Sequence, residues 1–150
     1  MFQGYFEHTI DEKNRLSIPS SFRLVIHGTS DDRLSITQSI RGSSLCLEAY
    51  PFSEWLLMID ELSKLPKFDQ RAKDTRAYIV GNAHECSVDK QGRILIAPSL
   101  RAYADLQKDI VVSGDVQRFC VWSKEAWTAF NQEVDQNVKR DPKYLHFPSS

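Results

Sequence analysis

Residues 6 to 23 lie over residues 84 to 101 without a gap, and this duplication constrains the folds open to the 150-residue chain more than any other feature. Glu7 matches Glu85, Asp11 matches Asp89, Arg15 matches Arg93, Ile18 matches Ile96, Ser21 matches Ser99 and Arg23 matches Arg101. Apolar positions correspond as well, Ile10 with Val88, Leu16 with Ile94 and Phe22 with Leu100. Further on, Tyr50-Pro51 before Trp55 returns as Trp122-Ser123 before Trp127. Two copies are too few for a solenoid, in which several stacked repeats are needed to bury a continuous core. The duplication therefore predicts a pseudo-twofold pair of units.

Each unit reads as short strands followed by a helix, so the predicted fold class is α+β, with polar turn chemistry at Gly28 to Asp32 and Arg41 to Ser44. In the first unit Ser53 is the expected N-cap. Trp55, Ile59 and Leu62 then fall on one helical face, and Pro66 marks the stop. Ser123 takes the same part in the second unit, ahead of a stripe of Trp127, Phe130, Val134 and Val138 that ends before Pro142. Aromatic stripes at this spacing predict core contacts and not a cofactor box. Gln70 to Val80, carrying Arg71, Lys73 and Arg76, predicts a linking helix with a solvated charged face.

Nineteen basic and 20 acidic side chains leave a net charge of −1, so any attraction to nucleic acid has to come from a local patch. No stretch approaches membrane-spanning length and the start of the chain lacks the pattern of a signal peptide, which gives a cytoplasmic protein as the expectation and no membrane partner. Cys46, Cys86 and Cys120 lack C-x-x-C or Cys/His spacing and are expected to be reduced, buried small hydrophobes. His8, His27, His84 and His146 are scattered. Without a glycine-rich phosphate loop or a nucleophile, base or metal constellation, the sequence predicts no enzyme, no catalytic residues, no metal, no cofactor and no small-molecule ligand.

The repeated pentads Asp11 to Arg15 and Asp89 to Arg93 carry the chemistry. A two-residue loop would pair Ile10 with Ser17 and mix polar with apolar side chains on both faces. A three-residue loop, Glu12-Lys13-Asn14 or Lys90-Gln91-Gly92, pairs Ile10 with Leu16 and Val88 with Ile94 on a buried face, and Asp with Arg outside. Such a loop ends in a left-handed residue, a conformation that Asn14 and Gly92 tolerate. Each pentad is therefore expected to cap a two-stranded hairpin that presents an arginine held by a carboxylate. A planar guanidinium matches the O6 and N7 acceptors of guanine, and Lys13 or Lys90 near the tip suits phosphate. The bland alternative is a turn-stabilising surface ion pair, which is common and contributes little. Duplication alone does not choose between them, because a structural pair would be copied as faithfully as a functional one.

Several segments resemble the MraZ family in order and spacing: Met1-Phe2-x-Gly4, Ile10 to Pro19, Leu47-x-x-Tyr50-Pro51-x-x-x-Trp55 and Asp89 to Pro98. The resemblance covers about residues 1 to 141. It implies a double-split β-barrel of two SpoVT-AbrB-like repeats with flanking helices, and no enzyme activity. The corresponding divisions are 5–52 for the first repeat, 53–80 for a helical connection, 81–124 for the second repeat and 125–150 for a C-terminal helix and tail.

By the same resemblance the DNA-binding residues are Asp11, Lys13 and Arg15, with Asp89, Lys90 and Arg93 in the second repeat. The implied partner is double-stranded DNA with tandem G-rich repeats, bound by a ring-shaped homo-oligomer associated with the nucleoid. The implied function is a transcriptional regulator repressing its own division and cell-wall gene cluster. Two departures from the family pattern are Asn14 in place of a common glycine and Ala97 in place of a proline before Pro98. The competing expectation is a ring-forming protein-interaction module, or a regulator of antitoxin type.

Overall fold

A computed structural model describes residues 1–148. The last two residues of the predicted C-terminal tail lie outside the described residues. The first half contains β1 (Tyr5–Thr9), β2 (Arg15–Ser17), α1 (Ser20–His27), β3 (Arg33–Arg41), β4 (Ser44–Pro51) and α2 (Phe52–Ser63). After α3 (Gln70–Ile79) come β5 (His84–Ser87), β6 (Arg93–Leu95), α4 (Pro98–Tyr103), β7 (Asp109–Asp115), β8 (Arg118–Ser123) and α5 (Lys124–Arg140). The class is α+β, with an antiparallel six-stranded sheet in the order β1-β7-β8-β4-β3-β5 and a separate two-stranded ladder of β2 and β6. Exchanging β1 with β5, β7 with β3 and β8 with β4 returns the same strand order from the other end.

One expectation is corrected by this topology. The arms beside each loop do not continue as a hairpin: Ile10 pairs with Leu16 through a single bridge, after which β1 joins β7 and β2 joins β6. In the second half, β5 joins β3 in the same way. The reason lies in the length of the arms and in their apolar residues. A three-residue arm adds little as an isolated two-stranded hairpin. Exchanged between halves, the arms set Leu16 directly opposite Ile94, and both are almost fully buried. The exchange also satisfies backbone donors, since Ile18 N donates to the Gly92 carbonyl (2.9 Å) and Ile96 N to the Asn14 carbonyl (2.8 Å).

The main core runs under this ladder and joins Phe2, Leu16, Phe22, Ile94, Leu100 and Phe119, with Phe2 and Phe22 packed edge to face at 5.1 Å. A second cluster lies between the sheet and α5, where Cys46, Val111, Cys120 and Trp122 meet Trp127 and Phe130. The buried Trp122 indole donates to Ser113 Oγ at 2.9 Å. Trp127 and Phe130 of the α5 stripe thus make the expected apolar contact, while all four stripe residues, Val134 and Val138 included, are only half-buried. Cys46 and Cys120 are buried free thiols, whereas Cys86 on β5 is only half-buried, its partial burial pushing the thiol up to about 12.

Helix starts follow local chemistry. Ser123 caps α5 by accepting from Ala126 N at 3.0 Å, as the sequence predicts. Ser53 is not a cap. Helix α2 begins at Phe52 after Pro51, whose φ of −51° already suits a helix entrance, so Ser53 falls inside the first turn. The linking helix α3 is tied down at its end, where Thr37 Oγ1 donates to the Ile79 carbonyl and the Tyr78 hydroxyl meets that of Tyr103. Among the described residues no helix is long and apolar enough to cross a membrane.

Candidate nucleic-acid interface

Each pentad folds as a three-residue loop closed by its aspartate. In the first, Asp11 N donates to the Arg15 carbonyl (3.0 Å) and Asn14 N to the Asp11 carbonyl (3.1 Å), with Asn14 left-handed at φ 63°. In the second, Asp89 N donates to the Arg93 carbonyl (2.8 Å) and Gly92 N to the Asp89 carbonyl (3.0 Å), with Gly92 at φ 75°. This is the predicted loop class, with the left-handed residue at the predicted position.

The aspartate side chain fills the loop from within. Asp11 Oδ1 accepts from Lys13 N and Arg15 N, each at 2.9 Å, while Oδ2 accepts from Arg15 Nε at 2.7 Å. Asp89 Oδ1 likewise accepts from Gln91 N (2.8 Å) and Arg93 N (2.9 Å), but its contact with Arg93 Nε is longer, at 3.4 Å. The Arg15 backbone N–H is the main reason that the Asp11 carboxyl is held below its ordinary value, and the Arg93 N–H has the same effect on Asp89. Because the clamp uses Nε, no hydrogen bond among the described residues engages the terminal nitrogens of Arg15. Those are the atoms that form a fork toward two base acceptors.

The exchanged ladder brings both forks to one surface. Arg15 lies opposite Leu95 and Arg93 opposite Ser17, so all four side chains project to the outer face while Leu16 and Ile94 project inward. Arg15 and Arg93 are diagonal neighbours, a relation that places Cα atoms roughly 7–8 Å apart. Their side chains remain 36% and 27% exposed. Lys13 and Lys90 are exposed, at the second position of the first loop and the first position of the second. The structure thus gathers Asp11, Lys13 and Arg15 with Asp89, Lys90 and Arg93 around one ladder.

Two residues of this surface were missed as site residues by sequence reasoning. Arg101 reaches across from α4 to the first loop, donating from Nη1 to the Asp11 carbonyl (2.7 Å) and Asn14 Oδ1 (2.9 Å), and from Nε to the Leu106 carbonyl (2.9 Å). Its counterpart Arg23, on α1, lies over Gly92, where an added Cβ would overlap the guanidinium. The signal was present in the repeat, which matched Arg23 with Arg101, but nothing local tied either one to a loop 66 or more positions away.

Comparison with known proteins follows the same division. The family described as "MraZ protein, putative antitoxin-like" matches residues 1–77 and again 79–144. The chain belongs to the MraZ family. Among its MraZ relatives, proteins named Transcriptional regulator MraZ from Pediococcus pentosaceus and Ligilactobacillus salivarius are 39% and 40% identical to it, each over 91% of both chains. The MraZ of Clostridium acetobutylicum is 38% identical over 92% of this chain and 93% of its own.

Proposed function

We propose that this chain is a non-enzymatic, sequence-specific DNA-binding transcriptional regulator that reads base edges with Arg15 and Arg93. The observation that carries the reading is the placement of two acid-clamped arginines as diagonal neighbours on the outer face of one short ladder. Lys13 and Lys90 flank them as phosphate contacts, and Asp11 and Asp89 act as the clamps. The names of its relatives support the regulatory role.

On this reading the repeats 5–52 and 81–124 form a pseudo-twofold double-split barrel, joined by 53–80 and followed by 125–150. The palindromic strand order supports that architecture. The ligand is double-stranded DNA with tandem G-rich repeats upstream of the chain's own division and cell-wall gene cluster, which it represses as a ring of subunits in the cytoplasm, at the nucleoid. A subunit of net charge −1 meets few phosphates, so its single contacts are weak and fall with salt. Several subunits on repeated sites raise the effective concentration and turn weak contacts into useful affinity.

The test is titration of the upstream DNA of its own gene, against a duplex with scrambled repeats, at several salt concentrations. Preference for the intact repeats is the expected result. Equal affinity for both duplexes would favour a protein-interaction module, or an antitoxin-type regulator as the family description suggests.

A further inference from the structure

The two loops are built alike but are not surrounded alike. In the first, Asn14 fills the left-handed position and its side chain accepts from Arg101 Nη1, while the same guanidinium also donates to the Asp11 and Leu106 carbonyls. In the second, Gly92 leaves that space open and the Arg23 guanidinium occupies it. No acceptor among the described residues takes the Arg23 guanidinium. It lines a groove of about 350 Å³ together with Ser20, His27, Asp89 and Lys90. The Asp89 carboxylate in that groove is already committed to Gln91 N, Arg93 N and Arg93 Nε.

Charge divides the same way. Extending the repeat alignment by its offset of 78 puts Pro98 at the position of Ser20, Ala102 at that of Leu24 and Asp105 at that of His27. In the first loop Glu12 precedes Lys13, and at the position aligned with His27 the second half carries the acidic Asp105. Around the second loop, Lys90 and Arg23 stand without an acidic counterpart beyond the clamp, and Ser20 adds a hydroxyl donor that Pro98 lacks. The clamps differ in the opposite sense: Arg15 is held at 2.7 Å and Arg93 at 3.4 Å. The first loop is the more tightly ordered, and the second the more cationic.

We propose that α1 and the second loop form a cradle for a backbone phosphate of duplex DNA, with Arg23, Lys90 and the Ser20 hydroxyl as its donors. The second loop then anchors the subunit, while the first, pre-ordered by Arg101, supplies most of the base discrimination. This assignment rests on the DNA-binding reading above. Phosphate contacts position a protein without reading sequence, and each one neutralised adds about one unit to the salt slope.

The experiment measures affinity of the full-length protein for its upstream duplex and for a scrambled duplex over a range of salt. The variants are Lys90→Gln, Arg23→Gln, Arg15→Lys and Arg93→Lys, each checked for an unchanged thermal melt. Lys90 is exposed, so Lys90→Gln keeps the test valid if Arg23→Gln disturbs folding. Lys90→Gln and Arg23→Gln are expected to weaken both duplexes by the same factor and to lower the slope of log K against log salt by about 1 per bound subunit. Arg15→Lys keeps the charge and is expected to cut the preference for the intact duplex at least about fivefold with the slope unchanged, and Arg93→Lys to cut it less. An unchanged slope in Lys90→Gln, or an equal or larger loss of preference in Arg93→Lys than in Arg15→Lys, overturns the division of labour while leaving DNA recognition standing. Wild-type protein that prefers neither duplex overturns both.

Discussion

Asn14 and Gly92 hold the left-handed position of their loops by different means, and the difference sets what each tolerates. At Gly92 a side chain meets both an unfavourable φ of 75° and the Arg23 guanidinium. Gly92→Ala is therefore expected to destabilise the fold by at least the usual cost of a left-handed non-glycine residue, about 1–2 kcal/mol, as read by chemical denaturation. Asp11 and Asp89 provide a pH signature. Their carboxyls are held below the ordinary aspartate value by loop N–H groups, so the stability they contribute is fully present above a pH of about 4. That contribution is lost as pH falls through the depressed folded-state value. Carboxyl NMR is expected to place both titrations below that of a peptide aspartate, and a midpoint at or above it would contradict the clamp. These loops were legible in sequence because their determinants are local, five residues with one side-chain alternation and one turn residue. Arg101 was not legible as a brace, because its acceptors at Asp11 and Asn14 come from the other half of the chain.

Short strands bind the halves at the scale of elements. Sequence alternation correctly put Leu16 and Ile94 inside, but it does not say which arm pairs with which, since a hairpin and an exchanged ladder bury the same residues. Arm length decides, because three residues cannot hold a sheet of their own and gain a partner by crossing over. Ile94→Ala, which opens a cavity opposite Leu16, is expected to cost about 2–5 kcal/mol. Because the ladder is shared, denaturation should remain a single transition seen alike by probes in either half. Two separated transitions would show that the halves fold independently. The helices were largely legible, α3 ending one residue short of its expected end and α5 capped by Ser123 as foreseen. The start of α2 was misplaced because Pro51 takes the capping position two residues before the serine that resembles a cap.

The molecule as a whole is almost neutral, and its sheet seam is closed by charge: Arg41 meets Glu48 at 3.2 Å and Asp115 at 2.7 Å. Arg41 joins strands of both halves there. Balanced charge inside and out leaves little general attraction to nucleic acid, which places the burden of recognition on the ladder that carries Arg15 and Arg93. That surface was only half visible in sequence, which supplied both arginines but not the pairing that makes them neighbours. The most direct measurement is fluorescence anisotropy titration of the chain's own upstream repeat duplex with wild-type protein and with the Arg15→Ala, Arg93→Ala double variant. The expected loss is about 1–3 kcal/mol for each fork, roughly 5–150-fold in affinity apiece, with melting temperature and hydrodynamic size unchanged. Undiminished affinity in the double variant would contradict the account.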